Sequence, residues 1–217
     1  TQGPACAISC GAGTIFRNYF APVHGKIGQS ANNQIDGLEL IGEALGNKNN
    51  LLWKMQNGYC FPSQEGLVEI NSILSKLSSA EFEDLKGLLK VGIQWNTEVT
   101  IAENPKQIVS QIYCSALPIG YSSFISEDYF EYFAKLILDA TYEATFYAAL
   151  FNFKNGGSNH LFLTLVGGGV FQNKLEWILE AIEKSVMKFK NTPLQVNIVS
   201  YGFSNPKVQQ FIQNLKI

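Results

Sequence analysis

Charge of one sign and long apolar runs are both scarce in this chain. Its 16 basic and 18 acidic residues are mixed along the sequence and give a net charge of −2. Such a mixture provides no extended positive surface to hold a nucleic-acid backbone. No apolar run approaches the roughly 18 to 20 residues of a membrane span, and the start of the chain shows no signal peptide. We therefore expect neither nucleic acid nor a membrane as a partner.

Cysteine and histidine are also few. The 4 cysteines stand at uneven spacings, and the 2 histidines have no cysteine or acidic residue beside them at ligand spacing. This low cysteine density is not typical of a disulfide framework, and the histidines do not support a zinc site. We expect reduced thiols, a cytoplasmic setting and no bound metal. Because the chain opens at Thr1 without a methionine, we also expect a domain of a longer protein.

Apolar residues, in contrast, are abundant. They make up 46% of the 217 residues, which is enough to bury one substantial core. We expect a single α/β domain over residues 1–217, with a possible helical insertion over residues 63–90. No internal repeat, low-complexity tract or linker divides the chain.

Periodicity and turn signals predict the elements in chain order. The first half is expected to hold a short strand before Gly11, a helix over 29–45, irregular or hairpin structure over 51–61, helices over 68–77 and 79–89, and strands over 91–101 and 107–117. The second half is expected to hold a long helix over 128–153, a strand over 161–166, a helix from Lys174, a strand over 194–201 and a helix over 206–215. Ser78 with Glu81 three residues later predicts a capping box.

The most informative segment is LVGGGVFQN, residues 165–173. Three glycines lie between an apolar strand and an amphipathic helix, and a strand that runs through glycines into a helix leaves backbone N–H groups bare at the positive end of the helix dipole. Such a segment favours a bound phosphate. The alternative is that the glycines only make the corner between strand and helix. No Lys-Ser/Thr pair follows them, so Walker-type chemistry is not indicated.

Several segments together resemble a known family. CSALPIGYS, LDATYEATFYAAL, LFLTLVGGGVFQNKLEWI and VNIVSYGFS resemble the second half of a macrodomain, the ADP-ribose-binding α/β/α module. GAGTIFRNY followed by GQSANNQID is similar to a loose form of the poly(ADP-ribose) glycohydrolase signature. It is more similar still to divergent macrodomains of bacterial effectors that remove ADP-ribose from arginine, including arginine on ubiquitin.

The resemblance implies a fold, a ligand and its binding residues. The fold would be a three-layer α/β/α mixed sheet, and the ligand would be ADP-ribose with no further cofactor. Residues 167–173 would wrap the diphosphate, and residues 11–19 would lie along the distal ribose. Aromatic residues after the last strand would stack on adenine. The implied ligand-binding residues are Gly11, Gly13, Thr14, Asn18, Gly167, Gly168, Gly169, Val170, Phe171, Gln172, Asn173, Tyr201 and Phe203.

The implied reaction is hydrolysis of a glycosidic bond between ADP-ribose and a protein side chain. Its oxocarbenium-like transition state needs a carboxylate to steady positive charge or to activate water. We expect Asp36 in this role, with Gln34 orienting the ribose or the water and Glu98 as a second candidate. The alternatives are a solvated helix residue for Asp36 and a water-facing edge charge for Glu98.

Three functions stay open from the sequence. The first is an ADP-ribosyl hydrolase that acts on a modified protein, with ubiquitin as one possible partner, in the cytoplasm or in a host cytoplasm if the protein is an effector. The second is a reader that binds ADP-ribose without cleaving it. The third is an interaction domain whose glycine segments are empty corners.

Overall fold

A computed structural model of the chain describes residues 8, 10–99, 107–200 and 202–215. Its helices are α1 (Gly11–Tyr19), α2 (Glu39–Leu45), α3 (Gln64–Leu74), α4 (Ser79–Lys86), α5 (Glu131–Lys154), α6 (Leu175–Phe189) and α7 (Pro206–Asn214). Its strands are β1 (Pro22–Val23), β2 (Lys26–Ile27), β3 (Trp53–Gln56), β4 (Tyr59–Pro62), β5 (Gly92–Glu98), β6 (Ile108–Tyr113), β7 (His160–Leu163) and β8 (Gln195–Ile198). Short 3₁₀ turns lie at Lys48–Asn50, Ile119–Tyr121 and Glu127–Phe130.

The described strands pair two by two. Three pairs are antiparallel hairpins, β1 with β2, β3 with β4 and β5 with β6, while β7 and β8 are parallel. The parallel pair is connected through α6, as a parallel connection requires a crossover. The described part of the chain is therefore an α/β fold with small sheets.

Most of the predicted elements are confirmed. The Asn57-Gly58 signal makes the turn of the β3–β4 hairpin, and both of its residues have positive φ as a two-residue hairpin turn requires. Ser78 and Glu81 form the predicted capping box at the start of α4. Pro206 stands in the first turn of α7, where its missing N–H costs nothing.

Two predicted elements are wrong. The helix expected over residues 29–45 begins only at Glu39, because side chains in the segment before it bond to nearby backbone N–H groups and so compete with a helix. The loop expected at Gly11 and Gly13 is the first turn of α1, and Thr14 N–H donates to the Cys10 carbonyl at 3.0 Å. The strand predicted before Gly11 lies almost wholly outside the described residues.

The core is built around α5. This helix buries residues on most of its circumference and packs along α6, whose apolar stripe includes Ile178, Ala181 and Ile182. The β3–β4 hairpin joins the same core through Trp53, whose ring lies 5.1 Å from that of Phe133 between centroids. A helix hydrophobic nearly all round is typical of a central, covered position.

A group of ion pairs ties α4, α5 and α6 together at one side of this core. Lys86 of α4 pairs with Glu143 of α5, and Lys188 of α6 pairs with the same carboxylate. Nearby, the Asp139 side chain is only 5% exposed and meets the Lys184 ammonium at 2.9 Å. Burial raises the pKa of Asp139, although the bond from Lys184 opposes the shift. The buried Asp139 carboxylate is thus paired with the partly exposed ammonium of Lys184.

No helix in the described ranges combines the length and the apolar character needed to cross a membrane.

Candidate functional site

The parallel pair β7–β8 directs two loops to one edge of its sheet. Leu163 lies opposite Ile198, and Val199 N–H donates to the Leu163 carbonyl at 2.8 Å just past the end of β8. The glycine segment, residues 165–173, follows β7, and residues 199–200 and 202–205 follow β8. Because both strands end at this edge, it is the place where α/β sheets commonly take a ligand.

The glycine segment consists of successive turns rather than the opening of a helix. Gly167 has φ of 80°, and the Asn173 N–H donates to its carbonyl at 3.0 Å. Helix α6 begins only at Leu175. The prediction that the glycines run directly into the first helical turn is therefore wrong, because the positive φ of Gly167 and of Gln172, 57°, bends the chain before α6 starts.

The middle of the glycine segment nevertheless presents bare backbone donors. The N–H groups of Gly169, Val170 and Phe171 have no acceptor within the part of the chain that the structure describes. Gly168, Gly169 and Val170 are exposed, and a Cβ built on Gly169 would meet nothing within 4 Å. Adjacent unpaired N–H groups on an open turn can donate hydrogen bonds to a bound anion.

Buried groups hold this turn from beneath. The Asn173 side chain is buried and donates to the carbonyls of Leu117, at 2.8 Å, and Gly167, at 3.2 Å. Gly120 N–H donates to the Phe171 carbonyl at 3.0 Å. A side chain on Gly120 would collide with the Val170 carbonyl oxygen. Asn173, predicted to bind ligand, thus directs its amide into the protein and fixes the shape of the turn.

Tyr142 of α5 supports the start of the same segment. Its hydroxyl donates to the Thr164 carbonyl at 2.7 Å and accepts from the Val166 N–H at 3.0 Å. The side chain is only 1% exposed, and burial raises the pKa of its phenol. A neutral hydroxyl therefore acts as both donor and acceptor at the point where β7 ends.

Three aromatic rings flank the glycine segment. Tyr59 of β4, Tyr121 and Phe171 contact one another edge to face, with centroid separations of 5.5 to 5.8 Å. Sequence reasoning missed Tyr59, because the hairpin lies far from the glycines along the chain. Tyr59 follows the Asn57-Gly58 turn as the first residue of β4, and nothing in that local sequence indicates its contact with Tyr121 and Phe171.

Of the two aromatic residues proposed for adenine, Phe203 follows β8 at the same edge as the glycine segment and is 94% exposed. A ring this exposed makes no packing contribution to the core. Tyr201 lies outside the described residues. Phe203 is thus accessible to a planar ligand.

The first glycine segment packs against the β5–β6 hairpin. Gly13 is buried, and a Cβ there would collide with the Tyr113 ring. Glycine at this position is explained by that close approach. Gly11, half-buried, and Thr14, also half-buried, lie on the first turn of α1.

Asn18, near the end of α1, anchors the loop that carries the predicted catalytic residues. Gln29 donates to Asn18 twice, from its side chain to the Asn18 side chain at 2.9 Å and from its backbone to the Asn18 carbonyl at 3.0 Å. The Gln29 side chain in turn accepts from the Ile35 N–H at 3.0 Å. Residues 28–36, which we term the acidic loop, are thereby fixed to α1, and Asn18 is occupied in holding them.

Asp36 is half-buried at the end of the acidic loop. One oxygen accepts from the Leu38 N–H at 2.8 Å, just before α2. Burial raises the pKa of this carboxyl above its ordinary value. The neighbouring Gln34 is also half-buried and has no side-chain hydrogen bond to any described residue. The pair therefore offers a partly desolvated carboxyl and an amide that a ligand can engage.

Glu98 lies elsewhere. Glu98 is exposed at one end of β5, opposite Ile108. It is the other end of β5, at Gly92, that lies near Asp36, because Lys90 N–H donates to the carbonyl of Gly37, the residue after Asp36, at 3.1 Å. Six residues of strand at about 3.3 Å each separate Glu98 from that end by roughly 20 Å. The structure does not bring Glu98 to Asp36.

Strand β4 contacts the glycine segment and lies within electrostatic range of the acidic loop. Cys60 is buried, burial raises the pKa of its thiol, and the charge of Asp36 adds to this shift. The preceding residue, Tyr59, contacts Phe171. Neighbouring residues of one short strand thus face the two parts of the candidate site.

Within the described ranges, no group of three or more histidine, cysteine, aspartate or glutamate side chains is arranged to hold a metal ion. Comparison of the chain with protein-family models, with curated proteins and with solved structures finds no match.

Proposed function

We propose that the protein is an ADP-ribosyl hydrolase of macrodomain-like fold that removes ADP-ribose from a modified protein side chain. The observation that carries the proposal is the row of three unpaired N–H groups at residues 169–171, on the carboxyl edge of a parallel strand pair. A diphosphate is a suitable anion for such a row. The exposed Phe203 at the same edge offers a face for adenine.

The chemistry is assigned to the acidic loop. Water attacks the anomeric carbon of the ribose while the bond to the side-chain nitrogen or oxygen breaks. The free oxygen of Asp36 accepts the proton of the water, and the carboxylate steadies the positive charge that develops on the ribose. Gln34 orients the ribose hydroxyls. Arginine is the favoured leaving group because its ADP-ribosylated guanidinium is already cationic and leaves with the bonding electron pair as a neutral guanidine, without a separate proton donor. Arginine on ubiquitin is one such substrate.

A reader that binds ADP-ribose without cleaving it is the second candidate. The Leu38 N–H already occupies one oxygen of Asp36 at the start of α2, which is the ordinary structural role of an aspartate before a helix. The two candidates share the glycine segment and differ in whether Asp36 reaches the anomeric carbon.

Calorimetric titration with ADP-ribose tests the shared ligand. Gly169→Glu places a carboxylate beside the row of amides, and Gly169→Gln is the matched control with the same bulk and no charge. Nothing lies within 4 Å of the Cβ position, so both variants should fold. We expect micromolar binding by the parent chain, weaker binding by the glutamine variant and none by the glutamate variant.

The outcomes separate the three functions. Failure of the parent to bind ADP-ribose at millimolar concentration would leave the glycine segment an empty corner and refute both proposals. Binding together with release of ADP-ribose from arginine-linked or ester-linked protein, lost in Asp36→Asn, supports the hydrolase. Binding without release from either substrate supports the reader.

A further inference from the structure

The turn between β1 and β2 places a histidine beside the acidic loop. His24 has φ of 44° and is followed by Gly25 with φ of 76°. Histidine, like asparagine and aspartate, is one of the residues other than glycine that adopt a positive φ most often. The contacts of its side chain, rather than its backbone, are what link it to the loop.

Both ring nitrogens of His24 have partners. Nδ1 lies 2.9 Å from Asn33 Oδ1, and Nε2 lies 3.3 Å from Glu39 Oε1. The Asn33 amide is oriented by its own Nδ2, which donates to the Val23 carbonyl at 2.9 Å. Its oxygen must then face the histidine, so Nδ1 is a donor. A carboxylate only accepts, so Nε2 is a donor as well, and both bonds together require the imidazolium form.

These bonds connect the acidic loop to α2. Asn33 belongs to the loop, where it is bridged to Ser30, and Glu39 is the first residue of α2. Glu39 also meets Lys90 at 3.3 Å. His24 thus links the loop that carries Gln34 and Asp36 to the helix that follows it.

The charges that face His24 favour its cationic form. Glu39 is in direct contact and Asp36 lies within electrostatic range, while Lys90 lies on the far side of Glu39. The hydrogen bonds with Asn33 and Glu39 raise the pKa of His24 above its ordinary 6.5. The link is therefore complete below pH 6.5 and is lost as the pH rises through the raised value.

We propose that His24 is a positioning residue whose imidazolium holds the acidic loop in the arrangement that aims Asp36 and Gln34 at the ribose. This inference rests on the proposed hydrolase function. Neutral His24 keeps one of its two bonds and loses its contact with either Asn33 or Glu39, while the bonds from Gln29 to Asn18 still hold the loop to α1. Turnover then falls in alkaline solution, while affinity for the diphosphate, which is assigned to the glycine segment and not to the acidic loop, stays constant.

Nitrogen-detected NMR of the two histidine rings tests the link directly, with His160→Gln used to assign the signals. We expect both nitrogens of His24 to be protonated at about pH 6, and Glu39→Gln to lower the His24 pKa. Lys90→Met, which removes the other partner of Glu39, is the matched control and should not lower it. A single neutral tautomer at that pH, or an unchanged titration in Glu39→Gln, would overturn the proposal.

The kinetic arm compares kcat and the ADP-ribose Kd across pH for the parent and for His24→Asn, which suits a positive φ. We expect kcat of the variant to be lower by roughly twofold to fivefold in mildly acidic solution, with no alkaline decline and an unchanged Kd. An alkaline decline that persists in His24→Asn contradicts the inference.

Amide exchange keeps the two proposals separable. The Ile35 N–H bonds to Gln29 within the acidic loop. Even if no hydrolysis is found, its exchange rate, corrected for intrinsic exchange, should increase as the pH rises through the His24 pKa. That result, with no turnover, refutes the hydrolase and retains the link. A corrected Ile35 exchange rate that does not change across the His24 titration refutes the link.

Discussion

Replacing Tyr142 with phenylalanine tests how the glycine segment is held. The change removes one hydroxyl that donates to the Thr164 carbonyl and accepts from the Val166 N–H. The ring stays, so no cavity of consequence is created. Two backbone groups at the end of β7 lose a buried partner.

The expected cost follows from those two bonds. A net contribution of about 1 to 1.5 kcal/mol for each gives a loss of about 2 to 3 kcal/mol in the free energy of unfolding. The Val166 N–H lies 3.0 Å from the Thr164 carbonyl as well, which keeps the loss from being larger. For a chain of this size the Tm should fall by about 4 to 12 °C.

Urea denaturation followed by circular dichroism measures this change, with Tyr147→Phe as the control. Tyr147 lies on the same helix, is 53% exposed and packs its ring against Phe189. Its replacement should alter the free energy of unfolding by less than about 0.5 kcal/mol. Equal effects of the two substitutions would show that the Tyr142 hydroxyl does not support β7 and the glycine segment.

Three further outcomes can be measured with the same denaturation assay. Gly167→Ala should lower the free energy of unfolding by about 2 to 4 kcal/mol, because φ is 80° and the new Cβ would lie 2.5 Å from that of Ala116. The control Gly169→Ala should change the free energy of unfolding by less than about 0.5 kcal/mol. Equal losses in the two variants would contradict this account. Lys184→Met leaves Asp139 buried without its cation and should cost about 1 to 2 kcal/mol near neutral pH, below the usual cost for a buried pair because the lysine is 51% exposed. Burial raises the pKa of Asp139, so its protonated form is favoured in the folded state. The stability lost in Lys184→Met should therefore become smaller as the pH falls toward 3.8, the pKa of the carboxyl in the unfolded chain. A stability loss that grows in acid would refute this assignment.

Elements with strong periodicity or local turn chemistry could be predicted from the sequence. The long helix, the β3–β4 hairpin and the capping box of α4 depend on residues a few positions apart, so one sequence is enough to reveal them. The parallel strand β8 and the carboxyl-edge position of the glycine segment followed from the same local patterns.

What could not be predicted depends on distant partners or on competing local bonds. The burial of Asp139 is one example, because α5 is covered on nearly every side and its periodicity does not distinguish an inner from an outer face. The acidic loop resembles a helix by spacing, but the Gln29 and Asp36 side chains accept from nearby backbone N–H groups, and these bonds replace the helical ones. The His24 contacts join residues 9 and 15 positions apart along the chain, and neither partner is marked by composition.

The crossover between β7 and β8 has a consequence for the order of folding. The whole glycine segment and α6 lie between the two strands, so pairing of the strands closes a long loop that contains a complete helix. Closing such a long loop is entropically slow compared with forming the three local hairpins. The row of unpaired amides should therefore acquire its final shape late in refolding, after the three local hairpins have formed.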